Sequence, residues 1–347
     1  MFSGNGRGSL DSLPYVLCIY FLVLGCESIE NQRDRFFTQG NEALESQSYE
    51  NAIIFYTKAI KIDSDDAESF NNRGVAKREL GRVYEAIQDY NEALLIDNEF
   101  WGCLHNRAMA YQEVANWNKS IRDYDLLIGH HDTSIYHEAK ALIFSESKDF
   151  NRAIDEFNSV LAQNPNDAET KINLATLDFY LGNKKRAAAT LEDILREFPN
   201  AAFGYNTLNQ IYLELSSLDL AYRAIQQAIR LDPLNAFFLN NRGFTYLEMD
   251  SVVLALKDIN QSIVLAPDNA WSYRNKGYYY YKMGDFTQAI RYLKQSLEMD
   301  KNLKGAHLML GMTYLSEGQS GMACQSWEMA LGLGNEKAQA YLNYHCN

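Results

Sequence analysis

From residue 33 onward, side chains of the same size return to the same places every 34 residues. With residue 33 as position 1, a small residue recurs at position 8: Gly40, Gly74, Ala108, Ala141, Ala175, Gly243, Gly277 and Gly311, with Asn209 in the remaining slot. Position 20 holds Ala52, Ala86, Ser120, Ala153, Ala187, Ala221, Ala255, Ala289 and Ala323. Position 24 holds a large side chain: Tyr56, Tyr90, Tyr124, Phe157, Leu191, Ile225, Ile259, Leu293 and Trp327. Pro165, Pro199, Pro233 and Pro267 close units four to seven. The pattern predicts nine units, 33–66, 67–100, 101–133, 134–167, 168–201, 202–235, 236–269, 270–303 and 304–337, the third one residue short. Each unit reads as two amphipathic helices, and residues 338–347 as a capping helix.

Small residues at 8 and 20, a large one at 24 and Pro near 32 resemble the tetratricopeptide repeat. Nine matches in register make that resemblance specific. It implies an all-α, right-handed α-solenoid in which helix pairs stack, because one pair cannot bury its apolar face alone. It also implies a scaffold that binds protein or peptide segments rather than an enzyme.

Position 7, normally Leu in this family, carries Arg73, Arg107, Lys140 and Arg242 in units two, three, four and seven. The same units place Asp89, Asp123, Glu156 and Asp258 at position 23, whereas units with Leu174, Leu208 or Leu310 have no acid there. This covariation predicts a salt bridge between the two helices of a unit. Unit eight departs from it by pairing Lys276 with Tyr292.

In the family, positions 2, 5, 6, 9 and 12 of the first helix face the groove. Asn72, Asn106, Asn173, Asn241 and Asn275 occupy position 6, and Asn206 and Asn240 position 5. A carboxamide both donates and accepts, so such residues suit the backbone of an extended segment. The arrangement is similar to the asparagine ladder in the repeat region of the O-linked N-acetylglucosamine transferase. The alternative is that these Asn bond across to the neighbouring unit. Groove positions of units two to four are mostly polar, whereas units five to eight carry Phe179, Phe203, Phe237, Phe244, Trp271, Tyr278 and Tyr281. Aromatics there suit partner anchoring, against the alternative that they pack on adjacent helices. Tyr279 and Tyr280 are assigned to packing. The carboxylate clamp of chaperone-binding relatives is not matched: Asn41 and Asn72 fit it, but Phe37, Gly102 and Asn106 stand where its cations belong.

Composition narrows the partners. The 347 residues carry 32 Lys and Arg against 45 Asp and Glu, a net charge of −13 that disfavours nucleic acid and anionic lipid surfaces. No nucleophile-elbow, phosphate-loop, dinucleotide or zinc-protease motif occurs, so neither a catalytic residue nor a cofactor or metal is expected. His130, His131, Asp132 and His137 form the one His cluster and read as a solvated turn. Cys103 and Cys324 read as packing residues. Cys324 and Cys346 are placed to approach each other between the last unit and the cap.

Residues 13–24, LPYVLCIYFLVL, form an apolar run too short to span a bilayer. With Val23-Leu24-Gly25-Cys26 after it, the segment resembles a bacterial lipoprotein signal. That resemblance implies removal of residues 1–25, acylation of Cys26, a short tether over 26–32 and residence in the periplasm or at the outer membrane, the membrane touched only through the lipid. Two other readings stay open: a cytosolic assembly or regulatory adaptor with a misread start, and a glycan- or peptidoglycan-binding protein whose aromatic groove serves sugar rings.

Overall fold

The computed structural model describes residues 29–346; Cys26 and the apolar run lie outside the described residues. The described residues form nineteen α-helices and no strands. The chain divides between Gln163 and Asn164 into two compact units. The first holds four helix pairs: α1 (Ile29–Glu45) with α2 (Tyr49–Ile62), α3 (Ala67–Glu79) with α4 (Val83–Ile96), α5 (Trp101–Glu113) with α6 (Trp117–His130), and α7 (Ser134–Glu146) with α8 (Phe150–Gln163). The second holds five: α9 (Ala168–Tyr180) with α10 (Lys184–Glu197), α11 (Ala202–Glu214) with α12 (Leu218–Leu231), α13 (Ala236–Glu248) with α14 (Val252–Leu265), α15 (Ala270–Lys282) with α16 (Phe286–Met299), and α17 (Lys304–Ser316) with α18 (Ser320–Gly332). α19 (Lys337–His345) follows the last pair. α1 begins inside the stretch read as a tether.

The repeat pattern is a packing pattern. All nine residues at position 20 are fully buried, and all nine at position 24 are at most 1% exposed. Where position 8 is glycine, the large side chain at 24 of the same unit covers it. A Cβ on Gly74 would lie 2.6 Å from the Tyr90 ring, and one on Gly277 would lie 2.6 Å from Leu293. The same side chains also reach the next pair, as when Tyr90 packs with Cys103 and Tyr111. Where position 20 is Ser120, its hydroxyl donates to Ala108 O at 2.8 Å, so the polar substitute is satisfied.

Helix starts and stops have local causes. In four units position 34 caps the following helix: Asp66 accepts from Ser69 N, Asp167 from Thr170 N, Asn235 from Phe238 N and Asn269 from Trp271 N. Position 15 ends each first helix in the left-handed region. Gly81, Gly182, Gly284 and Gly318 do so without strain. Gln47, Ala115, Lys148, Ser216 and Asp250 adopt the same φ of 53–62° with a Cβ in place.

The expected ion pairs are present, with a partner the sequence did not announce. Arg73 meets Asp89 at 2.9 and 2.7 Å, and Arg107 meets Asp123 at 2.8 Å twice. Lys140 meets Glu156 at 2.5 Å. Each of these cations also reaches position 25 of the preceding unit: Thr57 at 3.1 Å, Asn91 at 2.9 Å and Asp125 at 2.8 Å respectively. One side chain therefore ties three helices. In unit eight the Lys276 ammonium sits 4.7 Å from the centre of the Tyr292 ring, so the departure is a cation–π contact.

The His cluster is only in part the solvated turn expected of it. His131 is exposed there, whereas His130 ends α6 and stacks on Trp101 with ring centres 3.9 Å apart. His137, however, lies on α7 with its Nδ1 2.5 Å from Glu156 and its Nε2 2.9 Å from Asp132. It joins the Lys140 network because α7 turns that face inward toward α8. No group of three or more His, Cys, Asp or Glu among the described residues is arranged to hold a metal. Cys324 is likewise more than a packing residue, since it forms a disulfide with Cys346.

Candidate functional site

The second unit carries a cleft of about 540 Å³ across the first helices of its leading four pairs, α9, α11, α13 and α15. Phe203, Phe237, Phe244 and Trp271 line it, with Asn206, Asn240, Asn241 and Asn275 between them. A side chain at position 2 of these helices escapes the layer between pairs, which positions 8, 20 and 24 fill, whereas Asn240, Arg274 and Asn275 at positions 5 and 6 are buried. The rings are therefore left uncovered. Phe203 is 65%, Phe237 57% and Trp271 47% exposed. Large aromatics exposed together are uncommon on an unbound surface and suit a partner.

The Asn residues are connected rather than free. Asn241 donates to Asn206 Oδ1 at 2.7 Å, and Asn275 donates to Asn240 Oδ1 at 2.8 Å. In the first unit Asn72 donates to Asn41 at 3.3 Å and Asn106 donates to Asn71 at 2.9 Å. Each link joins one pair to the next, so the bond-across reading accounts for one donor on each of these Asn. Capacity remains: Asn275 Oδ1 is buried without a partner. Asn173 is half-buried, outside the cleft and outside these links. Tyr278 and Tyr281 stack on each other with ring centres 6.2 Å apart, and neither lines the cleft. Tyr280 stacks on Tyr292 and Tyr279 packs on the core around Leu247 and Ile259, as assigned.

Several lining residues escaped sequence reasoning: Tyr180, Asn209, Gln210, Leu213, Glu214 and Arg274. Gln210 and Arg274 stand at groove positions 9 and 5, so the repeat register alone would have found them. Asn209 replaces the small residue at position 8. It is fully buried and donates to Ala221 O at 3.0 Å and Thr245 Oγ1 at 2.8 Å, while its Oδ1 has no partner. Glu214 is held at 3.0 Å by Lys184 and at 3.8 Å by Lys337. Burial raises its pKa, but the two lysines outweigh that and hold it below the usual glutamate value.

The comparisons agree with this architecture. Models of the tetratricopeptide repeat match residues 67–100, 145–205 and 235–302, and a model described as TPR repeat matches 40–81. Among solved structures, the chain is similar to the APC/C hetero-tetramer Cut9–Hcn1, at 15% identity and a TM-score of 0.57, covering 96% of this chain and 81% of that one. It is also similar to a tetratricopeptide repeat protein from Parabacteroides merdae, at 18% identity and TM-score 0.48, covering 81% and 98%. A third is a thermophilic TPR protein in Thermus thermophilus, at 20% identity and TM-score 0.47, covering 53% and 100%. The first likeness shows the fold alone. No curated protein sequence matches the chain. Helix pairs at the 34-residue step, bearing these matches, make the chain a tetratricopeptide repeat protein.

Proposed function

We propose that this chain is a non-enzymatic adaptor that holds an extended partner segment in the cleft of its second unit and is anchored at the bacterial cell envelope through a lipid on Cys26. The observation that carries the binding half is the cleft itself, where Phe203, Phe237 and Trp271 stand exposed beside Asn carboxamides. Rings supply contact area at small entropic cost, and the carboxamides suit a peptide backbone. The anchor rests on the sequence before residue 27, with the Cys324–Cys346 disulfide in keeping with an oxidising compartment.

Binding is tested by selecting peptides from a random display library on the full chain. Selected peptides should lose affinity in Phe237→Ala and Trp271→Ala and keep it when exposed Val253 of α14 is changed to Ser. Selection that ignores both cleft changes, or soluble peptidoglycan fragments that bind where no peptide does, would overturn the reading. The anchor is tested separately: palmitate should label the protein, and Cys26→Ala should abolish the label.

A further inference from the structure

Among the residues lining the cleft, Arg274 is a buried cation without a carboxylate partner. Its side chain is 8% exposed, yet no carboxylate lies within 4 Å of it among the described residues, and its Nε is buried without a hydrogen-bond partner. Arg73, Arg107, Lys140 and Arg242 at position 7, by contrast, each close an ion pair with a carboxylate. The Arg274 guanidinium lies instead over two aromatic faces, 4.7 Å from the centre of the Phe244 ring and 5.4 Å from that of Trp271. Gly305 of α17 lies against its other edge, where an added Cβ would sit 3.6 Å from Nη1, an ordinary van der Waals distance. Glu248 acts on it electrostatically without closing an ion pair, and faces Tyr278 as well. Burial lowers the Arg274 pKa to about 10, which leaves it a cation at neutral pH with its charge poorly compensated. The acid that lines the same cleft, Glu214, is already taken by Lys184 and Lys337.

We infer that Arg274 is the anion-recognition point of the cleft and that the partner segment carries an Asp or Glu side chain beside an apolar anchor residue. This rests on the proposal that the cleft binds a peptide, and it names that peptide's chemistry. A guanidinium backed by aromatic rings presents a planar fork that a carboxylate meets with two parallel hydrogen bonds. Phe203, Phe237 and Trp271 would take the apolar residue. The linked pairs Asn206–Asn241 and Asn240–Asn275 flank the cleft along its length, as suits a chain that passes through rather than one that ends there. The carboxylate is therefore assigned to an internal side chain. A neutral or basic segment would leave a buried charge unmatched, so the cleft discriminates by that penalty as well as by attraction.

The test uses the full chain and fluorescent nonapeptide pools, acetylated and amidated at their ends, with Phe or Leu beside Asp or Glu. Matched pools carry Asn or Gln in place of the acid, or keep neutral side chains with a free C-terminal carboxylate. Anisotropy should show the acidic pool binding roughly 30-fold or more tightly than its amide counterpart. Arg274→Met should erase that preference while leaving Tm unchanged or higher, because it removes an uncompensated buried charge; a structural arginine would lower Tm instead. Arg274→Lys should keep part of the preference. Equal binding of acidic and amide pools, or a preference that survives Arg274→Met, overturns the inference and leaves the peptide-binding proposal standing. Binding confined to the free C-terminal pool overturns the assignment to an internal side chain. Failure of every pool overturns both.

Discussion

Arg242 on α13 meets Asp258 on α14 through two parallel contacts of 2.6 and 2.9 Å, and its remaining terminal nitrogen crosses to Gln226 on α12 at 3.3 Å. The arginine therefore fixes its own pair and the register of that pair on the one before it. Losing one partner of a buried ion pair costs about 3–5 kcal/mol, and the 18% accessibility of the Arg242 side chain should trim this to about 2–3 kcal/mol. Asp258→Ala should show that loss in urea denaturation. Exchanging the two, Arg242→Asp with Asp258→Arg, should recover most of it but leave a deficit of about 1 kcal/mol, because Gln226 loses its donor. A swap no better than the single changes would refute the pair.

Two tyrosines at the same repeat position differ in one hydrogen bond. Tyr56 donates to Asn41 Oδ1 at 2.7 Å, whereas the Tyr90 hydroxyl is buried without a partner. Burial pushes the Tyr56 pKa up to about 12, and it raises that of Tyr90 further. Tyr56→Phe should cost about 0.5–1.5 kcal/mol, and Tyr90→Phe should be neutral or stabilising by about 1 kcal/mol. Matched denaturation curves check the sign.

The turn between the two helices of each unit sets a third expectation. A non-glycine residue in the left-handed region costs about 1–2 kcal/mol, part of which glycine returns as chain entropy in the unfolded state. Ala115→Gly should therefore stabilise by about 0.5–1 kcal/mol. Gly284→Ala, with open space around its Cβ but a φ of 75°, should destabilise by about 1 kcal/mol through backbone strain alone. Differential scanning calorimetry of the two variants would show shifts of opposite sign.

How far the sequence carried these features depends on the distance over which each is encoded. Positions 8, 20 and 24 repeat in every unit, so the core and helix pairing were legible as a period. Arg242 with Asp258 was legible because cation and acid covary between units. The register could place Arg274 in the groove, but its role was not legible, since that lies in a missing partner, and absence of a carboxylate within reach is a three-dimensional fact. The third contact of the position 7 cations was hidden for another reason: Thr57, Asn91, Asp125 and Gln226 share a place but not a chemistry. The strained turns were hidden too, because only four of the nine carry the glycine that would have marked them.

Glu214 contributes to the pH dependence. Its folded pKa is depressed, so its contribution to stability is complete above the unfolded glutamate value and is lost as pH falls through the folded value. Carboxyl carbon shifts followed by NMR should place its titration below 4.5 in the native chain. Replacing both Lys184 and Lys337 with Met leaves burial as the surviving influence, and the titration should then move above 4.5. A titration that stays low in the double variant would mean that other groups hold the charge.

The last helix depends on a covalent tie. α19 buries only Ala338 fully, while Tyr341 stacks on Trp327 with ring centres 5.0 Å apart. Nine residues are too few for a helix to persist unaided in water. The Cys324–Cys346 bridge closes a loop of 22 residues, for which chain entropy gives roughly 3 kcal/mol. Cys346→Ser, or reduction of the native chain, should therefore free α19 and expose the Trp327 ring, reddening its emission and raising amide exchange from 337 to 345. The four earlier helix pairs of the second unit should keep their exchange rates, because the following pair, not α19, covers their large position 24 side chains. If α19 stays protected after reduction, ring stacking on Trp327 holds the cap and the bridge is redundant.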